Sequence, residues 1–544
     1  MQLIRYTADD FTQNLRGNIF GGLTAAVVAL PLALAFGISS GIGPVAGLYG
    51  AIVVGLFAAV FGGTRPQISG PTGPMTVVMT AMTAQFISQY PDNGLALAFS
   101  VVFLGGVIQA LIGLLRLGKY IIMVPYPVIS GFMTGIGIII IVLQVGPLLG
   151  HDSVGSVVSA FQSLPTALST PNRVSSLLGG ACLLLLFLWR GKANQLLPSP
   201  LLVLVLATLV FQFLPNDLQL ETIGAIPHSL PEWHLPVFKW EMAQDMLVNA
   251  IMLAVLGSID SLLGSLVCDN LTGETHDSDR ELIGQGIGNA VAGLVGGLPG
   301  AGATMRTIVN IKAGGDGPLS GVIHATILIS AVLGLGAFFE SVPLAALSAV
   351  LIKVGIDIID WPFLVRIRNL PRFTVGLMLV VLFLTVFVDL ITAVFVGVFL
   401  KNMMLVDTLS HLELGRVIIA GSELESSELR EEELQKLKCL GEGAVLLRIT
   451  GPLSYAVSRG LVQRFNSMKQ AQILLIDLTS ASIIGVTTLL AIERLIKTAL
   501  ENGTEVRLID NEEKHREGFK RLNFIELVGR QNTYNCFEDA AVCR

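Results

Sequence analysis

The chain is predicted to be a polytopic α-helical membrane protein ending in a small α/β domain, and three features predict it. Of its 544 residues only 14% are charged while 52% are hydrophobic, and the mean hydropathy is +0.72. Soluble domains carry about 25% charged residues, so most of this chain belongs in lipid. Apolar runs recur along it at lengths near the ~20 residues that a helical span needs. Past about Ser410 the pattern changes to short apolar strands alternating with amphipathic helices, the signature of an α/β domain.

In chain order, apolar runs are read near residues 18–38, 44–62, 94–116, 122–148, 174–189, 199–214, 242–270, 279–298, 319–339, 344–358, 373–389 and 390–407. Two interrupted segments, near 72–88 and 303–313, raise the total to about fourteen. The first begins within QISGPTGPMTVVMT (Gln67 to Thr80), the second within GGLPGAGATMRTIVNI (Gly296 to Ile311). Each opens with Gly, Pro and small polar residues that hold no regular helix, then becomes a short apolar helix. Irregular backbone at membrane depth is tolerated only where it faces a cavity or is buried in protein. A matched pair of such breaks, one in each half of a chain, points to the substrate site of a secondary transporter.

Lys and Arg accumulate on the cytoplasmic side of a membrane protein. With the N-terminus inside, the inner loops hold Arg65, Arg116 with Lys119, Arg190 with Lys192, and Arg366, Arg368 and Arg372. The outer connections around Tyr90 to Asn93 and from Pro215 to Trp240 hold only Lys239. Both termini are therefore expected in the cytoplasm, with the chain in the inner (plasma) membrane. The expected organisation is a cytoplasmic segment 1–17, a transport domain 18–408, a charged linker 409–439 and a cytoplasmic α/β domain 440–544. In the last, strands are expected over Val445–Ile449, Ile473–Leu478 and Glu505–Ile509. Helices are expected over Ala456–Met468, Thr487–Asn502 and Lys514–Leu522.

Several classes are disfavoured. A net charge of −6 lacks the basic footprint of a nucleic-acid binder. Cys182, Cys268, Cys439, Cys536 and Cys543 show neither metal-ligand spacing nor a disulfide framework. The N-terminus lacks a basic start and a small-residue cleavage site, so no cleavable signal is expected. There is no catalytic constellation, so the chain is not expected to be an enzyme, and no cofactor is called for.

The chemistry sits in the two breaks. Two half-helices meeting near the bilayer midplane would each offer about half a positive charge and unpaired N–H groups to one point. Gly70, Gly73, Gly300 and Gly302 allow close backbone approach, while Thr72, Thr76 and Thr304 offer hydroxyls. The same glycines also suit plain helix packing in a membrane. Asp260 lies mid-helix in an apolar run, where insertion scales charge a carboxylate about 2.5–3.5 kcal/mol. Its partner is either a cation or Arg306, the only charge in the second half-helix before Lys312. Arg306 in turn either attracts the anion or anchors helices. Asp269, nine residues on, falls on the opposite helix face and is expected to be solvated, and His324 reads as a packed histidine.

With these residues in view, the chain resembles the SulP family of anion transporters over essentially its whole length. The resemblance is carried by GLTAAVVALPLALAFG (Gly22 to Gly37), GLYGA (Gly47 to Ala51), VPYPVISGFMTGIGIII (Val124 to Ile140) and the last domain, which is similar to a STAS domain. Within the family, GPTGPMTVVM, GSIDSLLGSLVCDNLTG and PGAGATMRT resemble the sodium-dependent bicarbonate transporters of the BicA type. The resemblance implies about fourteen segments in two inverted repeats of seven, divided into a core and a gate domain, with alternating access and a homodimer. It implies sodium-dependent bicarbonate uptake; the alternatives are a sulfate, dicarboxylate or chloride carrier coupled to protons or exchange, or an anion channel. It places the anion at Thr72, Gly73, Thr76, Gly302, Ala303, Thr304 and Arg306, and sodium at Asp260, Gly264, Gly302 and Thr304. Relatives tend to have a hydroxyl residue where this chain has Gly264, so a side-chain ligand is lost, with Ser261, Ser265, Thr304 or backbone carbonyls as substitutes. In the STAS-like domain Thr487 takes a phospho-acceptor-like position, but Gly485 and Val486 replace the polar residues before it, which favours a scaffold that dimerises or binds regulators.

Overall fold

The computed structural model describes residues 8–121, 124–152, 157–189, 191, 198–213, 220–223, 233–388, 390–414, 417–421, 429–441, 443–453, 471–484, 486–510 and 524–542. Arg190, Lys192, Gly485, Cys543 and the helices expected over Ala456–Met468 and Lys514–Leu522 lie outside them. The chain divides into two compact units, Met1–Val398 and Phe399–Arg544.

The first unit is helical. It comprises α1 (Leu15–Ser39), α2 (Pro44–Phe61), strand β1 (Ser69–Gly70), α3 (Gly73–Gln89), α4 (Gly94–Leu114), α5 (Tyr126–Leu148), α6 (Val157–Ser169), α7 (Arg173–Leu188) and α8 (Ser199–Gln212). It continues with α9 (Ala243–Thr272), α10 (Ser278–Leu294), strand β2 (Ala301–Gly302), α11 (Thr304–Lys312), α12 (Leu319–Glu340), α13 (Leu344–Ile358) and α14 (Arg372–Phe387), and α15 (Leu390–Leu414) begins in it and ends in the second unit. Each apolar run and each interrupted segment has a helix in its place. Among the described residues six helical segments are alone long and apolar enough to cross a bilayer. The others are shorter, and α6 and α7 form one pair bent by 110°. Helix α6 was not expected; Val157, Phe161, Leu164 and Leu168 make an apolar stripe that intervening Ser, Gln and Pro residues hide from a simple hydropathy reading.

Packing sorts these helices into two groups. α10 lies against α4 and α2, α12 against α1 and α2, and α9 against α4 and α11. In the second group α13 lies against α5 and α7, and α14 against α5. Both broken segments belong to the first group, which therefore carries the candidate site.

The second unit holds a five-stranded sheet in the order β3 (Val417–Gly421), β4 (Ala444–Leu453), β5 (Ile473–Ile484), β6 (Glu505–Ile509), β7 (Thr533–Tyr534). The β3–β4 pair is antiparallel and the remaining pairs are parallel. Successive side chains of β5 point to opposite faces. Leu474, Ile476 and Leu478 pack with Ile492 and Ile496 of α16 (Val486–Glu501), whereas Leu475 packs with Leu437 and Phe537 on the other face. A sheet covered on both faces explains the near-continuous apolar run ILLIDL. Residues 409–439, expected as linker, contribute strand β3 and a helix over Glu431–Cys439. VIIA is too short a run to stand out beside the charged stretch that follows it. Cys439 is disulfide-bonded, which no regular cysteine spacing had announced.

Arg448 ties this unit together. Its Nε donates to Asp477 Oδ2 at 2.6 Å and its Nη2 to Glu433 Oε1 at 2.9 Å, joining β4, β5 and the Glu431–Cys439 helix. Burial alone would raise the Glu433 carboxyl, but hydrogen bonds from Arg448 and the Arg430 backbone outweigh it and hold it below its ordinary range. Removing one partner of a buried ion pair strands the other charge. Arg448→Met is therefore expected to destabilise the unit by about 3–5 kcal/mol, seen as faster proteolysis of residues beyond Phe399 in the intact protein.

Candidate functional site

The two broken segments meet. β1 and β2 pair antiparallel, with Ser69 opposite Gly302 and Gly70 opposite Ala301. The ladder is extended by Ala303 N–H donating to Ile68 O at 2.8 Å, and Thr307 Oγ1 accepts from Ile68 N at 3.1 Å. Gly70 is at φ +150°, a conformation other residues rarely adopt, and a Cβ on Gly300 would stand 2.5 Å from the carbonyl carbon of Gly70. Only glycine permits so close a crossing.

A helix starts directly beyond each strand. Thr72 and Ala303 are the N-cap residues of α3 and α11, and neither supplies a side-chain cap. The first N–H groups of both helices are thus left free of side-chain caps beside one crossing, where the helix dipoles favour an anion. Thr76, buried, donates its hydroxyl to Thr72 O at 2.8 Å and retains acceptor capacity only. Thr304 is half-buried at the first turn of α11. Gly73 faces two aliphatic tips: a Cβ there would lie 2.8 Å from Ile140 Cδ1 of α5 and from Ile358 Cδ1 of α13. The second helix group thus presents methyl groups to the start of α3.

Arg306, 2% exposed, reaches over β1. Its Nη2 donates to Pro71 O, and Nη1 lies where a Cβ on Gly70 would be 2.7 Å away and has no hydrogen-bond partner. Asp260, 8% exposed, lies within electrostatic reach of Arg306 without a direct salt bridge. Thr72 stands beside Asp260, but Thr72 Oγ1 and Asp260 Oδ2 both lack a normal hydrogen bond. Unsatisfied buried polar atoms are costly and rare. Three of them, Thr72 Oγ1, Asp260 Oδ2 and Arg306 Nη1, gather at this one crossing.

The residues implied as a sodium site are only partly assembled. Asp260 Oδ2 and Thr72 Oγ1 are free oxygens suited to a hard cation. Gly264 and Gly302 adjoin each other: a Cβ on Gly264 would stand 3.1 Å from Gly302 O. That same position is 3.3 Å from Gln67 Nε2, an N–H donor. Gln67, 3% exposed, donates to Ser261 O at 3.2 Å and accepts from Ser265 Oγ at 2.7 Å. Ser261 Oγ accepts from Gly302 N at 3.1 Å, so both serines named as substitute ligands are already engaged. Thr304 has no described side-chain contact with Asp260.

Sequence reasoning did not single out Gln67, Ile140, Ile358 or the polar residues of α10. The available signal was Glu281, Gln285 and Asn289 at intervals of four in a helix that is otherwise small and apolar beyond Arg280. Asp269 also differs from expectation. It accepts from His276 N at 3.0 Å and His276 Nδ1 at 2.6 Å, because the chain after α9 folds back over that face. His324 is buried with both ring nitrogens unpartnered, as a packed histidine.

A model of the sulfate permease family matches residues 15–381, and a model of the STAS domain matches residues 441–540. The bicarbonate transporter BicA of Synechocystis sp. is 43% identical over 525 residues, covering 96% of this chain and 93% of that protein. The solved transmembrane domain of a cyanobacterium bicarbonate transporter BicA matches at a TM-score of 0.67 and 48% identity, covering 72% of this chain and all (100%) of that one. The overall structure of SLC26A9 matches at a TM-score of 0.82 and 18% identity over 98% of this chain and 90% of that one, a likeness of fold.

Proposed function

This chain belongs to the sulfate permease family, and we propose that the anion it carries is bicarbonate. It is a transporter with a C-terminal STAS domain, not an enzyme. The observation that carries the reading is the pair of α3 and α11 N-termini, without side-chain caps, joined at the β1–β2 crossing. Backbone N–H groups there bind a small planar oxyanion, with Thr72, Gly73, Thr76, Gly302, Ala303 and Thr304 as its walls and Arg306 Nη1 as the charged donor. The 43% identity to a bicarbonate transporter over 96% of the chain supports the choice of bicarbonate.

Sodium is the proposed coupling ion, held by Asp260 with the oxygens around Gly264, Gly302 and Thr304. A cation there offsets the buried carboxylate and favours anion binding beside it. Uptake proceeds by alternating access, the helix group bearing the crossing moving as a core against a gate group, in a homodimer of inverted-repeat protomers. The plasma membrane with both termini cytoplasmic agrees with the basic loops at Arg65, Arg116 with Lys119, and Arg366 to Arg372.

One observation favours a second reading, a sulfate, dicarboxylate or chloride carrier coupled to protons or exchange. The space beside Gly264 faces the N–H donor of the Gln67 amide as well as Gly302 O. Proteoliposome uptake of labelled bicarbonate, sulfate and succinate, each with and without a sodium gradient, separates the two. Sodium-stimulated bicarbonate uptake is expected; sulfate or succinate uptake indifferent to sodium would replace the first reading by the second.

Gly264→Thr sharpens the test. A hydroxyl at 264 shares a helix face with Asp260. The contacts of 3.1 and 3.3 Å require small shifts, and overpacking typically costs about 1–3 kcal/mol. The variant is expected to bind sodium several-fold more tightly (roughly 1 kcal/mol for one added ligand), read as uptake against sodium concentration alongside thermal stability. A folded variant with the native sodium curve would remove the cation from this place.

A further inference from the structure

The anion-site reading leaves unused the polar stripe of α10. Glu281, Gln285 and Asn289 recur every four residues and so lie on one helix face. They are 1%, 0% and 2% exposed, in a helix packed between α2 and α4. Glu281 Oε2 accepts from Gly63 N at 2.9 Å and Thr64 N at 3.0 Å, in the turn leading to β1. Gln285 Nε2 donates to Ser69 Oγ of β1 at 2.6 Å and to Glu281 Oε1 at 2.8 Å. Asn289 grips Gly300 from both sides, its Oδ1 accepting from Gly300 N at 2.7 Å and its Nδ2 donating to Gly300 O at 2.9 Å. The same Nδ2 donates to Gln109 Oε1 of α4 at 2.8 Å.

We propose that Glu281, Gln285 and Asn289 are positioning residues that set the register at which the two half-helix N-termini face the anion. The β1–β2 ladder is two residues per strand, and each of its hydrogen bonds contributes only about 1 kcal/mol net. So short a ladder slips easily, and a slip of one residue turns every side chain to the other face. The stripe prevents this, because a single rigid helix holds the approach to β1, β1 itself and the residue before β2. Polar side chains belong at these places because broken helices expose backbone groups that lipid cannot satisfy. A slip of one residue moves one strand by about 3.3 Å, which takes an N–H donor out of hydrogen-bond range of the anion, so register is where this stripe acts on transport.

The inference rests on the crossing being the anion site, and the test keeps the two apart. Gln285→Ala and Asn289→Ala are compared, in the full chain, with Ile287→Ala, a half-buried neighbour on α10 that takes no part in the stripe. Three quantities are read: the half-saturation concentration and maximal rate of labelled bicarbonate uptake, the unfolding temperature, and amide exchange by segment. The stripe variants are expected to raise half-saturation about tenfold or more and to speed exchange only across 67–73 and 299–305. Asn289→Gln, which keeps both the amide acceptor and the amide donor, is expected to recover part of the loss, and with Gln285→Met it carries the comparison if an alanine variant does not fold. Half-saturation equal to that of Ile287→Ala, or exchange rising evenly through the domain, would overturn the proposal. If the native protein takes up no bicarbonate, the bicarbonate reading fails while segment-specific exchange still decides the role of the stripe.

Discussion

Asp260→Asn is expected to lower coupled uptake by up to about 100-fold while leaving the protein folded. The substitution conserves shape and removes the charge, so it separates electrostatics from packing. Asp260 is buried, its Oδ2 has no hydrogen-bond partner, and Arg306 is near without closing a salt bridge. A contact to a charged group is worth about 1.5–3 kcal/mol, and each 1.4 kcal/mol is about tenfold in affinity. If the carboxylate holds a cation, the variant loses its response to sodium. If it only balances Arg306, uptake falls but the sodium curve keeps its shape. Uptake against sodium concentration in proteoliposomes decides, and an unchanged sodium dependence would remove Asp260 from the coupling site.

The parts of the site written in local sequence were legible. Gly and Pro break helices wherever they stand, so the starts of the half-helices, read at 72 and 303, fall within one residue of Gly73 and Thr304. The apolar runs were legible for the same reason, since a helix in lipid satisfies its own backbone. What was not legible depends on residues far apart in the chain. Ser69 meets Gly302, Gln67 fills the space beside Gly264, and Ile140 and Ile358 close on Gly73 only after folding. Asp269 shows the limit of a helical wheel: its face was read correctly, but the return of His276 onto it depends on the turn after α9. Strand β3 was hidden because a five-residue strand at the edge of a sheet has too few residues to show a period.

Gly300→Ala is expected to abolish transport, because it acts on the closest backbone approach within the β1–β2 crossing that joins the half-helices. A methyl at this position would stand 2.5 Å from the Gly70 carbonyl carbon, 2.6 Å from its oxygen and 2.9 Å from its Cα. These are backbone atoms, so no rotamer relieves the clash. Gly70 cannot give way easily, being held at φ +150° with Arg306 Nη1 packed over it. The strands must therefore separate, and Asn289 loses its two-way grip on Gly300. Overpacking costs roughly 1–3 kcal/mol in stability, less than a domain of this size needs to unfold, so the protein is expected to be recovered from the membrane with a lowered unfolding temperature. Gly180→Ala, on α7 with no atom within 4 Å of the new methyl, is the control and is expected to transport normally. A Gly300→Ala protein taking up anion at the native rate would mean that β1 and β2 need not touch for transport, and the paired N-termini would lose their claim to be the site.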